Sequence, residues 1–314
     1  MAGKFDITNP IFHDNNAARE HLEALLWSAG PSCPFCGVMG DRITKMAGKT
    51  TRPGLYKCKD CRKPFTVTMG TVMERSHVPL CKWVLAAQLM ASSKKGFSAH
   101  ELHRVLGTNY ETAWFLFHRL RHAADDTAPD PIGGEGKIVE VDEVYIGGKE
   151  KNKHANKKLH AGRGAVGKMP VVALVERNGK TRSVHVANVS AKTLKPILTT
   201  LANKRSRLMT DESSVYPSLG TAFAGHETVN HSAGEYVRGD VFTNSEESHF
   251  ALFKRGVYGT FHHISEEQLP RYLAEFDFRA NTRKMSDWDR AAELLRGTAG
   301  KRLLYQSHDG VAEA

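Results

Sequence analysis

Two Cys-x-x-Cys pairs, Cys33-Pro-Phe-Cys36 and Cys58-Lys-Asp-Cys61, stand 21 residues apart near the start of this 314-residue chain. Each pair turns two thiolates toward one point, and two such pairs make a closed tetrahedral zinc site with Zn–S bonds of about 2.3 Å. With all four positions filled by protein, such a zinc organises the fold and performs no chemistry. A redox Cys-x-x-Cys does not come as a spaced pair. Turns at Gly37 and Gly54, with Tyr56 and Phe65, fit a zinc ribbon of short hairpins. Cys81, the fifth cysteine, falls outside the pattern and reads as a core thiol.

Metal-bound rather than disulfide-bonded cysteines suit a reducing compartment. No run of 18 or more apolar residues occurs, and the start Met-Ala-Gly-Lys-Phe-Asp lacks the build of a signal peptide. The chain is therefore expected in the cytoplasm, on the nucleoid, with no membrane partner. Its net charge of +10 and pI near 9.3 favour a polyanion over acidic small molecules. Such binding to nucleic acid is salt-dependent, because neutralised phosphates release counterions.

Composition shifts divide the chain. Residues 14–75 read as an N-terminal helix and the ribbon, 76–125 as a helical region, and 126–136 as a Pro- and Gly-rich linker. Residues 137–295 read as an α/β core and 296–314 as a tail. In the core, Val-rich strands are predicted at 137–146, 170–177 and 183–189, a helix at 191–201, a short strand at 207–210, and helices at 245–256 and 266–281. That order predicts a mixed sheet flanked by helices.

The segment from Ser98 to His122 has helix-turn-helix proportions, with Gly107-Thr108-Asn109 at the joint. In such motifs the start of the second helix meets base edges while nearby basic residues touch phosphates. Thr108 and Asn109 are the candidates for the first task, Arg119 and Arg121 for the second. A plain helical bundle is the alternative. Trp83, Trp114, Phe115 and Phe117 read as core. Lys151, Lys153, Lys157 and Lys158 lie in a basic stretch between the first two core strands, a further candidate DNA contact.

Three acids complete the pattern. Asp142 sits on the first core strand, sharing a face with Glu140 by the period of two, while Glu143 points the other way. Asp211 ends the short strand 207–210, and Glu247 lies in the first turn of the helix whose Phe250, Leu252 and Phe253 would pack on the sheet. Thirty-five residues separate Asp211 from Glu247, and Lys254 follows seven after Glu247, two turns on along one helix face. Singly, each acid is as well explained as a cap or a helix-dipole partner. Together, in a basic chain, they suit Mg²⁺ or Mn²⁺, which take oxygen ligands and retain places for substrate phosphates.

The chain resembles bacterial insertion-sequence transposases that combine a zinc ribbon, a helical DNA-binding region and an acidic-triad core, the ISXO-like group. The residues that carry the resemblance are Val141-Asp142-Glu-Val-Tyr-Ile-Gly-Gly, Thr210-Asp211, and Thr243-Asn-Ser-Glu-Glu247 with Lys254-Arg255-Gly-Val-Tyr-Gly-Thr-Phe-His-His. Tyr272-Leu-Ala-Glu-Phe-Asp-Phe-Arg279-Ala-Asn281 continues it. The resemblance implies a ribonuclease H-like integrase core and Mg²⁺-dependent strand cleavage and transfer on double-stranded DNA, both element ends and target. Handling two ends implies a homodimer or a larger assembly on DNA. Asp142, Asp211 and Glu247 match the three acids, and Lys254 the basic residue near the scissile phosphate, with Arg255 beside it. Asn244, within one turn of Glu247, is the other candidate for the third position. His249, His262 and His263 are expected to serve packing or DNA contact.

Overall fold

Local signals start and stop the first elements. The computed structural model describes residues 5–148, 154, 156, 158, 165–230, 233–235 and 237–304. Asp14 caps α1 (Asn15–Leu26), its carboxylate accepting from the Ala17 N–H at 2.7 Å. The cysteine region forms β1 (Ile43–Lys45), β2 (Tyr56–Cys58) and β3 (Pro64–Phe65), an antiparallel sheet in that order. Trp27, just past α1, meets the Tyr56 ring edge-on at 5.1 Å, and Tyr56 stacks on Phe65 at 5.9 Å. These rings and the thiols form the small core that so short a sheet needs.

Three helices follow: α2 (Leu80–Ser92), α3 (Ala99–Leu106) and α4 (Tyr110–Ala124). α2 is apolar on nearly every side, burying Trp83, Val84, Leu85, Ala86, Ala87, Met90 and Ala91. Ser98 and Glu101 close a reciprocal capping box on α3, and Gly107 ends it in the left-handed region at φ 59°. Asn109 caps α4 through the Thr112 N–H at 2.8 Å. Arg119 and Arg121, expected at phosphates, are instead 9% and 2% exposed. The Arg119 guanidinium lies over Phe115 and donates to the Leu303 carbonyl, and Arg121 lies over Phe117. Both pack the helical unit, and buried guanidinium groups offer nothing to a phosphate outside.

The second part is built on β4 (Ile138–Ile146), β5 (Met169–Glu176), β6 (Thr181–His185), β7 (Arg207–Thr210) and β8 (Gly225–Thr228), in spatial order β6-β5-β4-β7-β8. β4, β5 and β6 pair antiparallel, and β7 and β8 add in parallel beyond β4. α5 (Ala191–Leu201) and the short α6 (Pro217–Gly220) cover one face around Val139, Val141, Leu174, Leu194, Leu198 and Leu208. α7 (Asn244–Gly256) and α8 (Leu269–Asn281) cover the other around Val144, Ile146, Phe250, Phe253, Leu273 and Phe276. This is the mixed sheet between helices that the sequence predicts.

Some elements depart from that expectation. β6 begins earlier, because Asn178 takes φ 61° and turns the chain directly from β5 into β6. β8 reads Gly-His-Glu-Thr, with no apolar alternation, and forms only as the edge partner of β7. Residues 126–136 are docked rather than free: Ile132 is 3% exposed and exchanges backbone bonds with Leu201 and Asn203. Gly133, at φ 89°, fits because any Cβ would meet the Ser206 hydroxyl at 2.1 Å. Residues 1–125 with 284–314 form one unit and 126–283 the other. The last helix, α9 (Asp287–Arg296), belongs to the first unit, where Leu294 and Leu295 are buried and α2 is its main partner. No helix among the described residues is long and apolar enough to cross a membrane.

Candidate functional site

The four cysteines converge as their spacing requires. Their sulfur atoms all lie within 4.8 Å of one another, with Cys33 to Cys61 and Cys36 to Cys58 both at 3.6 Å. A tetrahedron with 2.3 Å Zn–S bonds has S···S edges of about 3.8 Å, so the four thiols fit zinc. Backbone N–H groups of Cys61 and Asp60 point at the Cys58 sulfur and lower its thiol to about 7, while burial and the neighbouring thiols push Cys36 up to about 12 and raise Cys61, so these sulfurs titrate as one group. All five cysteines are free of disulfides.

The acids sit on the other unit. β4 pairs with β7 so that Glu140 lies opposite Met209. Asp142 lies two residues further along β4, on the sheet face that α7 and α8 cover, and Asp211 directly follows the C-terminal end of β7, the parallel neighbour of β4. Each is half-buried. Asp142 accepts from the Glu143 N–H at 2.7 Å, and Asp211 from the Ser213 N–H at 3.0 Å.

Glu140 locks α7 over this pair. Its buried carboxylate accepts from the Ser245 N–H at 2.9 Å and the Glu246 N–H at 3.2 Å, so it caps the helix from 105 residues away. Arg177 neutralises it at 2.6 Å, donates also to the Asp240 and Phe242 carbonyls, and lies 3.6 Å over the Phe242 ring. Phe250 and Phe253 then point α7 inward, as predicted, while Leu252 is only half-buried.

That orientation separates two adjacent acids. Glu247 is exposed, and so are Asn244, Lys254 and Arg255. Glu246 is 0% exposed, its two oxygens enclosed without a basic, N–H or hydroxyl partner among the described residues, and Asp142 is the acid within hydrogen-bonding reach. Burial first, then the Asp142 charge, push its carboxyl up to about 11. On the opposite face, the Tyr216 hydroxyl donates to Glu143, whose carboxyl is raised mainly by burial and further by Asp211 and Asp142. Among the described residues, only the thiols form a group of three or more ligands drawn within 4.8 Å; Asp142, Asp211 and Glu247 are not drawn so close.

The donor set nonetheless fits a hard divalent cation: the Asp142 carboxylate and the enclosed Glu246 carboxyl neighbour each other with no ion pair to any described residue. Glu140, Arg177, Glu143 and Glu246 were not picked out from the sequence as site residues. The period of two marks Glu140, but nothing local marks the others.

His249 does not join the site. Its Nε2 lies 3.0 Å from the Ser183 hydroxyl, which donates to Asp277 at 2.7 Å, and the group ties α7 and α8 to β6. His262 and His263 are exposed beyond α7. Of the candidate DNA contacts, Asn109 is exposed but its side-chain oxygen is used as a cap, and Thr108 is half-buried. Lys158 is half-buried, while Lys151, Lys153 and Lys157 lie outside the described residues.

Comparison with known proteins agrees with this architecture. Residues 133–281 match the ISXO2-like transposase domain, and residues 13–64 match the transposase zinc-ribbon domain. A protein in transposable element ISH50 of Halobacterium salinarum is 31% identical over 287 residues, covering 85% of this chain and 91% of its own length.

Proposed function

This chain belongs to the ISXO2-like transposases, and from that premise we propose that it binds the ends of its element as double-stranded DNA, cuts there, and joins the freed 3′-OH to target DNA. The observation that supports the reading is that Asp142 on β4 and Asp211 at the end of β7 belong to adjacent parallel strands, with the first turn of α7 fixed to β4 through Glu140. Asp142, Asp211 and Glu247 hold Mg²⁺ or Mn²⁺. When bound, such ions supply the positive charge that an in-line phosphoryl transfer demands.

The chain's own residues do the rest. Glu140 fixes the height and rotation of α7, with Arg177 absorbing its charge so that the remaining acids keep theirs for cations. Lys254 and Arg255, exposed in the last turn of α7, meet the DNA backbone near the cut. Thr108 and Asn109, opening α4, approach base edges, and the basic stretch with Lys151, Lys153, Lys157 and Lys158 adds phosphate contacts. Arg119 and Arg121 are left out of this role because they are buried. The ribbon holds a structural zinc. The working form is a homodimer or larger assembly, since two ends must be handled together, and it acts on the nucleoid.

The test uses labelled duplexes carrying the DNA that flanks the gene, with Mg²⁺ and an unlabelled target. Joined products support a transposase. Cleavage without joining would mean a nuclease, and retarded but intact DNA a binding protein without chemistry; either outcome overturns the proposal.

A further inference from the structure

The geometry points to a cation ligand that the spacing of the acids does not single out: Glu246, one residue before Glu247, ligates the divalent cation held at Asp142. The inference rests on the reading of Asp142 as a cation ligand and adds a residue to that site.

Four acids are buried in this part of the chain among the described residues: Glu140, Glu246, Glu275 and Asp277. Glu140 has Arg177 and two helix N–H groups. Glu275 has Arg279, and Asp277 has the Ser183 N–H and hydroxyl. Glu246 alone has no basic, N–H or hydroxyl partner although it is 0% exposed; the neighbour within hydrogen-bonding reach is another acid, Asp142.

A buried carboxyl without partners is destabilising, and the remedy in proteins is a hydrogen bond, an ion pair or a metal. No ion pair to a described residue is present here, and the hydrogen-bonding neighbour is the Asp142 carboxylate, which has no proton of its own to give. The strongest charge acting on Glu246 is the Asp142 carboxylate, which repels it. A proton shared between the two groups would relieve that repulsion yet leave further enclosed oxygens unsatisfied. An oxygen-seeking divalent cation between them satisfies both carboxylates at once.

Its direction is imposed rather than accidental. Glu140 grips the N–H groups of Ser245 and Glu246, while Phe250 and Phe253 bury the same side of α7. Glu246 is thereby held against the sheet, and Glu247, about 100° further around the helix, is on the solvent-exposed side.

The test is Mn²⁺ titration of the full-length, zinc-loaded chain, read by the electron paramagnetic resonance of free Mn²⁺ and by the melting temperature with and without Mn²⁺. Glu246→Gln is expected to weaken Mn²⁺ binding roughly tenfold or more. Its metal-free melting temperature is expected to match or exceed that of the wild type, because the amide fills the same space, donates to Asp142 and carries no charge. Wild-type Mn²⁺ affinity in Glu246→Gln overturns the inference. Should that variant not fold, Glu246→Met, apolar and of similar length, serves instead with the same two outcomes. Wild-type affinity in Asp142→Asn would overturn the underlying site, whereas loss in Asp142→Asn with retention in Glu246→Gln would overturn the inference alone.

Discussion

Replacing Glu140 by alanine removes a side chain that joins β4, α7 and Arg177. The variant loses an ion pair at 2.6 Å in which Glu140 is 0% and Arg177 15% exposed, and it strips the acceptor from the Ser245 and Glu246 N–H groups. Breaking a buried pair from one side costs about 3–5 kcal/mol. Arg177 keeps the Asp240 and Phe242 carbonyls and the Phe242 ring, which sets the loss near the lower end, about 3 kcal/mol. At roughly 2–4 °C per kcal/mol for a domain of this size, the melting transition drops by roughly 6–12 °C. Thermal melts followed by far-ultraviolet circular dichroism measure it. Glu140→Gln, which keeps an acceptor for the helix N–H groups, is expected to fall between the two. Arg207→Gln removes the pairs of Arg207 with Glu227 and Asp240, which are solvent-exposed, and is expected to leave the transition nearly in place. A Glu140→Ala transition within roughly 2 °C of wild type would refute the claim that this buried grip holds α7 on the sheet.

Mass spectrometry of the purified chain is expected to show one equivalent of zinc and its loss in Cys58→Ser; full zinc content in that variant would contradict the ribbon site. Burial lowers the His21 pKa below its ordinary value of 6.5, so the folded state binds that proton less readily than the unfolded chain. Stability of the first unit is therefore unaffected by His21 above about pH 6.5 and is lost as pH falls from there through the folded pKa. Urea midpoints followed by tryptophan fluorescence should drop between pH 7.5 and pH 5, and drop less in His21→Phe; all four tryptophans, Trp27, Trp83, Trp114 and Trp288, lie in that unit. An equal drop in both proteins would count against it. Lys254→Ala should weaken DNA binding and shallow its salt dependence by about one phosphate contact, with an unchanged melting temperature, whereas Arg119→Ala should destabilise the fold; the reverse pattern would show that burial has been misread.

What was legible in the sequence follows the range of the interactions concerned. The zinc site is written locally, since each pair needs only a tight turn. The bounds of α3 and the start of α4 are written in Ser98, Gly107 and Asn109, and the structure starts and stops α3 and starts α4 there. The mixed sheet was legible because β4 and β5 are Val-rich. β8 was not, because its pairing to β7 rests on backbone bonds and the Arg207–Glu227 pair rather than on apolar alternation. Arg119 and Arg121 displayed charge but not surroundings: the Leu303 carbonyl that receives Arg119 is 184 residues away. Glu246 and Glu247 are adjacent in sequence and alike in chemistry. Which of them faces Asp142 is decided by the rotation of α7, and that rotation is set by Glu140, 105 residues before Ser245.

The most direct test of the central claim is Mg²⁺-dependent joining of labelled element ends to target DNA by the wild type, Asp142→Asn and Asp211→Asn. Asparagine keeps the shape of each side chain and removes the charge that a cation requires. Joining by the wild type and its loss by at least roughly 100-fold in each variant, with DNA binding retained, is the expected result. Joining by either variant at the wild-type rate would contradict the assignment of the paired aspartates as the metal-binding centre of strand transfer.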